Sequence, residues 1–517
     1  MASTRKTHGK LCFQRAFPGS ISAHEEAHAA LLDFESSHHS RPDDSGIAGT
    51  SIYYSFSYEV ARWLARRAPG EVSIDWDAVD DTTRLDELLA QVLRPPEDEY
   101  FDSGYVSSRE WIDMARGKSA GTDFDWLMKQ IGDERRRPFW CQLYDAVDLP
   151  LVWDLSGSQY SKSASVFLPD RVCTREHGMR PRPRAVNREI QRPFESIDLL
   201  SARDGSRLID VAMASLAVRH RETNHFNYAN ADEVYLVDAG EGIAIAVFGL
   251  LPDHRFPLEC TMGFLILSNG VPVGYGGSSI LFRQVNTGIN IFDGYRGSEA
   301  SFLWVQVMRV YHALAGCTRF IANPYQFGGE NTEALRSGAF WFYYRLGYRP
   351  VLADVRKLAQ REYSKIQRKR NYRSDIKTLR KLASCDMHLN LPGSKQSEFF
   401  DEEWLVTSSM LATRSLATAE SGSREQSANR VAARIARDIG LRALHQWSPQ
   451  ERRAFIRIAP IIAAVSPADW LGDQKRSLRE LLRAKGGYNE ARYAMLLSKN
   501  DTLLKSLKKA CRRADSE

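Results

Sequence analysis

Along residues 195–352 the spacing of apolar side chains changes period in a fixed order. Over residues 207–219 they recur as Leu208, Ile209, Ala212, Leu216 and Ala217, the stripe of an amphipathic helix. Residues 243–251 and 262–268 are strand runs, and Asn269-Gly270 then turns the chain. Asn and Gly tolerate the positive φ angles of a type I′ turn, so Leu265-Ile266-Leu267 and Val271-Pro272-Val273 are expected to pair as a hairpin. The second strand continues to Phe282. A third, over residues 287–292, ends at Asp293-Gly294-Tyr295-Arg296-Gly297-Ser298. Residues 299–315 are apolar nearly all round, which predicts a buried crossover helix, and a strand follows at 318–322. Strand, helix and strand in that order imply a parallel pair with a right-handed crossover and a ligand site at the carboxyl ends of its strands.

The flanks read differently. Residues 1–180 mix helical patterns at 57–67, 84–93 and 108–115 with strand-like pieces at 72–76 and 149–155, an N-terminal mixed α/β domain of unknown role. Gly178-Met179-Arg180-Pro181-Arg182-Pro183-Arg184 reads as a linker, because its prolines and unbalanced charge favour extended backbone. Beyond 352 the pattern is helical to the end. Val355, Leu358, Ile366, Tyr372, Ile376, Leu379 and Ala383 fit an amphipathic helix pair, residues 417–429 read as a mobile link, and Ser448-Pro449-Gln450-Glu451 is a helix start. The expected domains are therefore 1–180, 195–352 and 353–517.

Length and composition agree with a folded chain of several domains. Its 517 residues suit roughly three domains of about 150 each, and 43% hydrophobic residues exclude disorder as the dominant state. The longest apolar run, residues 242–251, is about half the ~20 residues a spanning helix requires. The first residues carry charge without an apolar stretch behind them, so a cytoplasmic protein is expected. Seven cysteines lie far apart without a C-x-x-C spacing and read as reduced, mostly buried thiols.

Charge is concentrated. Residues 355–382 hold eleven basic side chains against Glu362 and Asp375, which places +9 there and leaves the rest of the chain at −3 within a net +6. Such a face suits tRNA, an acyl carrier protein or an acidic protein patch, and Tyr363 and Tyr372 interleave with the cations as stacking requires. A solvated face is the plainer alternative.

Chemistry gathers at the glycine loop. Gly294 and Gly297 permit a sharp turn and close approach, Arg296 supplies a cation, and the amides opening the next helix point back into the loop. Tyr295, Arg296, Gly297, Ser298 and Ala300 would thus form an anion cradle. His24-Glu25-Glu26-Ala27-His28 matches the zinc-binding H-E-x-x-H pattern, with Glu35, His38 or His39 as conceivable third ligands; an ordinary helix is the alternative, and no metal is expected.

The order of helix, hairpin, strand with glycine loop, crossover helix, strand and a last helix ending in Gly-aromatic resembles the GCN5-related N-acetyltransferase (GNAT) family over about 155 residues. In that family the loop reads Arg/Gln-x-x-Gly-x-Gly/Ala, and its amides hold the pyrophosphate of coenzyme A. Here Arg296-Gly297-Ser298-Glu299-Ala300-Ser301 keeps Arg-Gly but puts Glu299 at the central glycine and Ser301 at the last small position. The closing helix is similar at Ala339, Phe342, Tyr343, Gly347 and Tyr348, with Arg336 where the family has Asn.

The resemblance implies a GNAT-like central domain within an α/β chain, and an acyltransferase that moves an acyl group from acyl-CoA or an acyl carrier protein to an amine. Tyr343 would protonate the departing thiolate. Asp293, near the strand ends, would serve as base with Asn323 as an orienting amide, or would be a turn residue. An aminoacyl-tRNA-dependent transferase and a non-catalytic binding protein that retains the fold are the other readings.

Overall fold

The computed structural model describes residues 2–37, 43–418 and 422–516. It divides into two compact units, one of residues 1–176, 208–227 and 268–272, the other of residues 177–207, 228–267 and 273–517.

The first unit is mixed α and β. Strands β1 (Ser51–Tyr54), β2 (Val72–Ile74) and β3 (Leu151–Asp154) form an antiparallel sheet in the order β1-β3-β2. Helices α1 (Ala2–Ala16), α2 (Ile21–Leu32), α3 (Tyr58–Arg67), α4 (Thr83–Leu89), α5 (Ser108–Arg116), α6 (Asp123–Gln130) and α7 (Arg137–Val147) accompany it. The helical patterns at 57–67, 84–93 and 108–115 become α3, α4 and α5. Trp153 of β3 and Trp63 of α3 meet edge to face at 6.1 Å in the core, a geometry that aromatic quadrupoles favour. α3 is held at its first turn, where the Tyr58 N–H donates to Asp145 at 2.7 Å and the Tyr58 hydroxyl donates to the Ile131 carbonyl at 2.6 Å.

The second unit is built on a ten-stranded mixed sheet. In chain order come α8 (Val186–Gln191), β4 (Asp198–Leu199), α9 (Ala202–Ala217, whose residues from 208 onward belong to the first unit), β5 (Ala229–Gly240), β6 (Ile243–Leu250), β7 (Cys260–Ser268), β8 (Val271–Leu281), β9 (Gln284–Thr287) and β10 (Asn290–Ile291). Then come α10 (Ala300–Ala315), β11 (Arg319–Ala322), α11 (Thr332–Ser337), α12 (Ala339–Leu346) and β12 (Arg349–Pro350). The strand order is β12-β13-β11-β9-β8-β7-β6-β5-β4, with β13 spanning Met387–Asn390 and β10 paired to β8. β9 and β11 run parallel, with α10 as the crossover between them. The turn between β7 and β8 has φ of 46° at Asn269 and 75° at Gly270, the positive pair that Asn-Gly was expected to supply.

Two strands depart from the sequence reading. β5 carries a consecutive buried run, Glu233 to Tyr235, and two register shifts, so no clean alternation marks it over its whole length. Glu233 inside it is wholly buried, because Arg255 bonds it at 2.9 Å and the Ala491 N–H donates to it at 2.9 Å. β13 corrects the expectation that the chain beyond 352 is all helical: it lies between β12 and β11, antiparallel to both. Met387 and Leu389 alternate as a strand requires, and both are buried.

The rest of the C-terminal region is helical: α13 (Ala353–Arg368), α14 (Ile376–Leu382), α15 (Glu403–Ala417), α16 (Arg424–Asp438), α17 (Pro449–Ala463), α18 (Gly472–Lys485), α19 (Glu490–Ser498) and α20 (Asp501–Ala514). α13 and α14 are the expected amphipathic pair. Ser448 caps α17 as expected, accepting from the Glu451 N–H at 3.1 Å while Glu451 accepts from the Ser448 N–H at 2.7 Å. The link expected at 417–429 is shorter in the structure, since Ala417 ends α15 and residues 424–429 open α16. A second capping box, Ser423 with Gln426, starts α16 at Arg424, and residues 419–421 of that stretch lie outside the described residues. No helix among the described residues is long and apolar enough to cross a membrane.

Candidate functional site at the divergence of two parallel strands

β9 and β11 pair only over Gln284–Asn286 and Arg319–Ile321. After that they part. The β9–β10 stretch continues along β8 in one register, from Ser278↔Thr287 to Gly274↔Ile291, while β11 continues along β13 to Ala322↔Met387. A parallel pair that separates while each strand keeps its outer neighbour leaves unpaired backbone between them, which other groups must satisfy.

Alternate residues of β9 share one sheet face, and two of its side chains and the glycine that follows them meet partners in order. The Phe400 N–H donates to Gln284 Oε1 at 2.9 Å, Asn286 Nδ2 donates to Glu402 Oε2 at 3.0 Å, and Gly288 lies against the Gln326 carboxamide. A Cβ at Gly288 would overlap that carboxamide, so glycine is required there by close approach. Gln326 belongs to a short 3₁₀ turn, Pro324–Phe327, that begins after Asn323. The Oδ1 of Asn323 is buried without a hydrogen-bond partner. At the same break the backbone amide of Ile289 is directed at the Tyr343 hydroxyl. Tyr343, on α12, is 2% exposed, with Trp304, Phe327 and Tyr348 edge-on around it at 5.3–6.2 Å. Burial pushes its phenol up, and the Ile289 amide offsets part of that shift.

Glu402 is the group that sequence reasoning missed. Burial first, then the neighbouring Asp386, push its carboxyl up to about 7, against the stabilising bond from Asn286. Asn286 is the last β9 residue paired with β11, so Glu402 sits at the point of divergence. On β13 in the same row, His388 is pushed down to about 4 by burial and then by Arg319. Only the short acidic run Asp401-Glu402-Glu403 marks this place in sequence, more than a hundred residues from its partner strand.

The glycine loop is occupied by its own groups. The N–H groups of Tyr295, Arg296 and Ser298 donate to Phe292, Asp293 and Tyr295 carbonyls at 2.8, 3.3 and 3.3 Å. Gly297 takes φ 81°, whereas Gly294 needs no positive φ. Arg296 pairs with Asp293 at 2.9 Å and with Glu333 of α11 at 2.6 Å. Asp293 is therefore an exposed ion-pair partner, its side chain 70% accessible. Tyr295 is buried, the Ser298 hydroxyl is buried without a partner, and Ala300 opens α10. Glu299, 1% exposed, accepts the Arg180 N–H at 2.9 Å.

That contact draws the expected linker against α10. Beside it a cavity of about 550 Å³ carries Arg180, Arg182, Arg184, Arg192 and Arg309. Most of these cations are matched: Arg180 with Glu241, Arg192 with Glu189, and Arg309 with the Arg192 carbonyl at 2.7 Å.

In the first unit, His24 and His28 stack at 6.2 Å on α2, and burial lowers the pKa of each. Glu35 accepts the Gly157 N–H at 3.0 Å, and His38 and His39 lie outside the described residues. Among the described residues no cluster of three metal-ligating side chains occurs. On α13 and in the turn before α14, both tyrosines expected to stack on a ligand have partners within the chain. Tyr363 stacks on Trp341 at 5.9 Å, and the Tyr372 hydroxyl donates to Glu362 at 2.7 Å. Arg361, Arg368, Lys369 and Arg370 remain exposed.

Comparison with family models, with curated proteins and with solved structures finds no match to this chain.

Proposed function

We propose that the second unit is a GNAT-like N-acyltransferase that moves an acyl group from a thioester to an amine. The observation that carries this reading is the parting of β9 from β11 beside the Tyr343 hydroxyl. An acyl thioester laid between the strands would offer its sulfur to a buried phenol and its carbonyl to backbone amides. Tyr343 is the acid that returns a proton to the thiolate. The acceptor ammonium must lose a proton before attack, and Glu402, with a carboxyl near neutrality, suits that task better than the solvated Asp293. Asn323, with its unpartnered Oδ1, would orient the acceptor.

The loop's internal bonds and the Arg296 ion pairs favour a donor gripped outside the loop, an acyl carrier protein, over coenzyme A. Both remain thioesters of the same chemistry. Thermal shift with acetyl-CoA and long-chain acyl-CoA separates them: stabilisation supports coenzyme A, and a flat response to both removes it. Mass spectrometry of material bound to the purified protein would identify the donor without knowledge of the acceptor. Once transfer is measured, Tyr343→Phe should lower the rate by about 10²–10⁴-fold; a variant at full rate ends the assignment of Tyr343 as acid.

A further inference from the structure

The last helix carries a second cationic surface, separate from residues 355–382. α20 buries Leu503, Leu504, Leu507 and Cys511 on one face. Its other face holds Lys505, Lys508, Lys509, Arg512 and Arg513, which line a cavity of about 740 Å³. Ser397 and Ser516 complete the lining, and no carboxylate contributes to it. Most nearby acids are engaged elsewhere. Glu398 and Asp501 pair with Arg283 at 2.9 and 3.2 Å, and Asp515 accepts from Thr407 at 3.1 Å. Asp401 faces Arg319 and Lys508.

Lys508 is committed to the fold, since its ammonium donates to the Ser397 and Phe399 carbonyls at 3.0 and 2.6 Å. Lys505, Lys509, Arg512 and Arg513 are exposed, and among the described residues none of them forms an ion pair. Arg512 rests 5.5 Å from the Trp404 ring, which fixes its guanidinium against the groove. From Lys505 to Arg513 the helix rises about 12 Å, with a cation on each turn. A single phosphate or carboxylate cannot satisfy both ends of such a row. Charges repeated along a flexible strand can.

We propose that this groove binds the sugar–phosphate backbone of a single-stranded nucleic acid, without sequence preference. The proposal does not depend on acyl transfer, and neither reading falls with the other. Four phosphate contacts predict that log K falls against log salt with a slope of about −3 for a single strand.

The test is fluorescence anisotropy with RNA and DNA single strands of about 20 nucleotides, titrated from about 50 mM salt upward. The full chain should bind, and K505Q/K509Q/R512Q/R513Q should lose most of the affinity and the slope. K505R/K509R should keep both, which separates lost charge from lost fold, and circular dichroism melting should be unchanged for these exposed positions. RNA bound more tightly than DNA would assign the 2′-hydroxyl a part; equal binding would assign the phosphates alone. No binding at the lowest salt would overturn the proposal. So would equal binding by the quadruple variant, competition by tripolyphosphate as strong as by the oligonucleotide, or loss of binding only in R368Q/K369Q/R370Q.

Discussion

Arg255 Nη2 donates to Glu233 Oε2 at 2.9 Å, with both side chains almost wholly enclosed. Around this pair Arg255 Nε lies 3.4 Å from Glu490 Oε2, and Lys485 Nζ lies 3.0 Å from Glu490 Oε1. Four charges thus join β5 to the segment that opens α19.

Removing one member leaves buried charge without a partner. Arg255→Met should cost about 3–5 kcal/mol at pH 8, read as a lower urea midpoint. Glu233 is pushed up to about 7, by burial first, so at pH 5 it is neutral and needs no cation. The loss should therefore shrink on acidification. An equal loss at both pH values would show that the carboxylate stays charged.

Glu402 and Glu233 also contribute to the pH dependence of stability. Each has a folded pKa of about 7 against the ordinary 4.5, so between those values the folded chain holds more protons than the unfolded one. Stability from these groups is full below about 4.5 and declines as pH rises through 7. Glu402→Gln should flatten that decline and, in a transfer assay, remove the acid limb of the rate profile. An unchanged limb would exclude Glu402 as base.

At the parting of the strands, Gly288→Ala should destabilise the second unit because the new Cβ meets the Gln326 carboxamide. Gln326→Ala should restore part of the loss when combined with it. The double-mutant cycle measures this coupling, and strict additivity would mean the two positions do not touch.

Glu299→Gln keeps an acceptor for the Arg180 N–H while removing charge from the head of α10. Stability should fall by about 0.3–1 kcal/mol through the helix dipole, and affinity for acetyl-CoA should rise. An unchanged thermal shift with acetyl-CoA would show that Glu299 is not what opposes a pyrophosphate.

The parts legible in sequence were those whose information is local. Asn269-Gly270 turned the chain where its φ preferences required, the apolar surround of α10 marked a crossover, and Ser448 with Glu451 started a helix. β5 was hidden because the charged Glu233 stands at a buried position and two register shifts break its alternation, and Arg255 with the Glu490 and Ala491 amides, met only through the fold, makes Glu233 tolerable. Glu402 was hidden for a related reason: its environment is supplied by Asn286 and Asp386, from distant strands and loops. The glycine loop was visible as a pattern, but its self-satisfied amides and the turn of Glu299 toward Arg180 depend on the fold around it.

β12 and β13 pair with each other through Arg349↔His388 and Pro350↔Met387. The basic helices between them are therefore an excursion that leaves the sheet and re-enters it one strand away. A fragment ended at residue 352 would discard an interior strand and expose β11 as a raw edge, so a piece that keeps the sheet must extend through Asn390, and one that keeps the Asn286–Glu402 contact must extend further still.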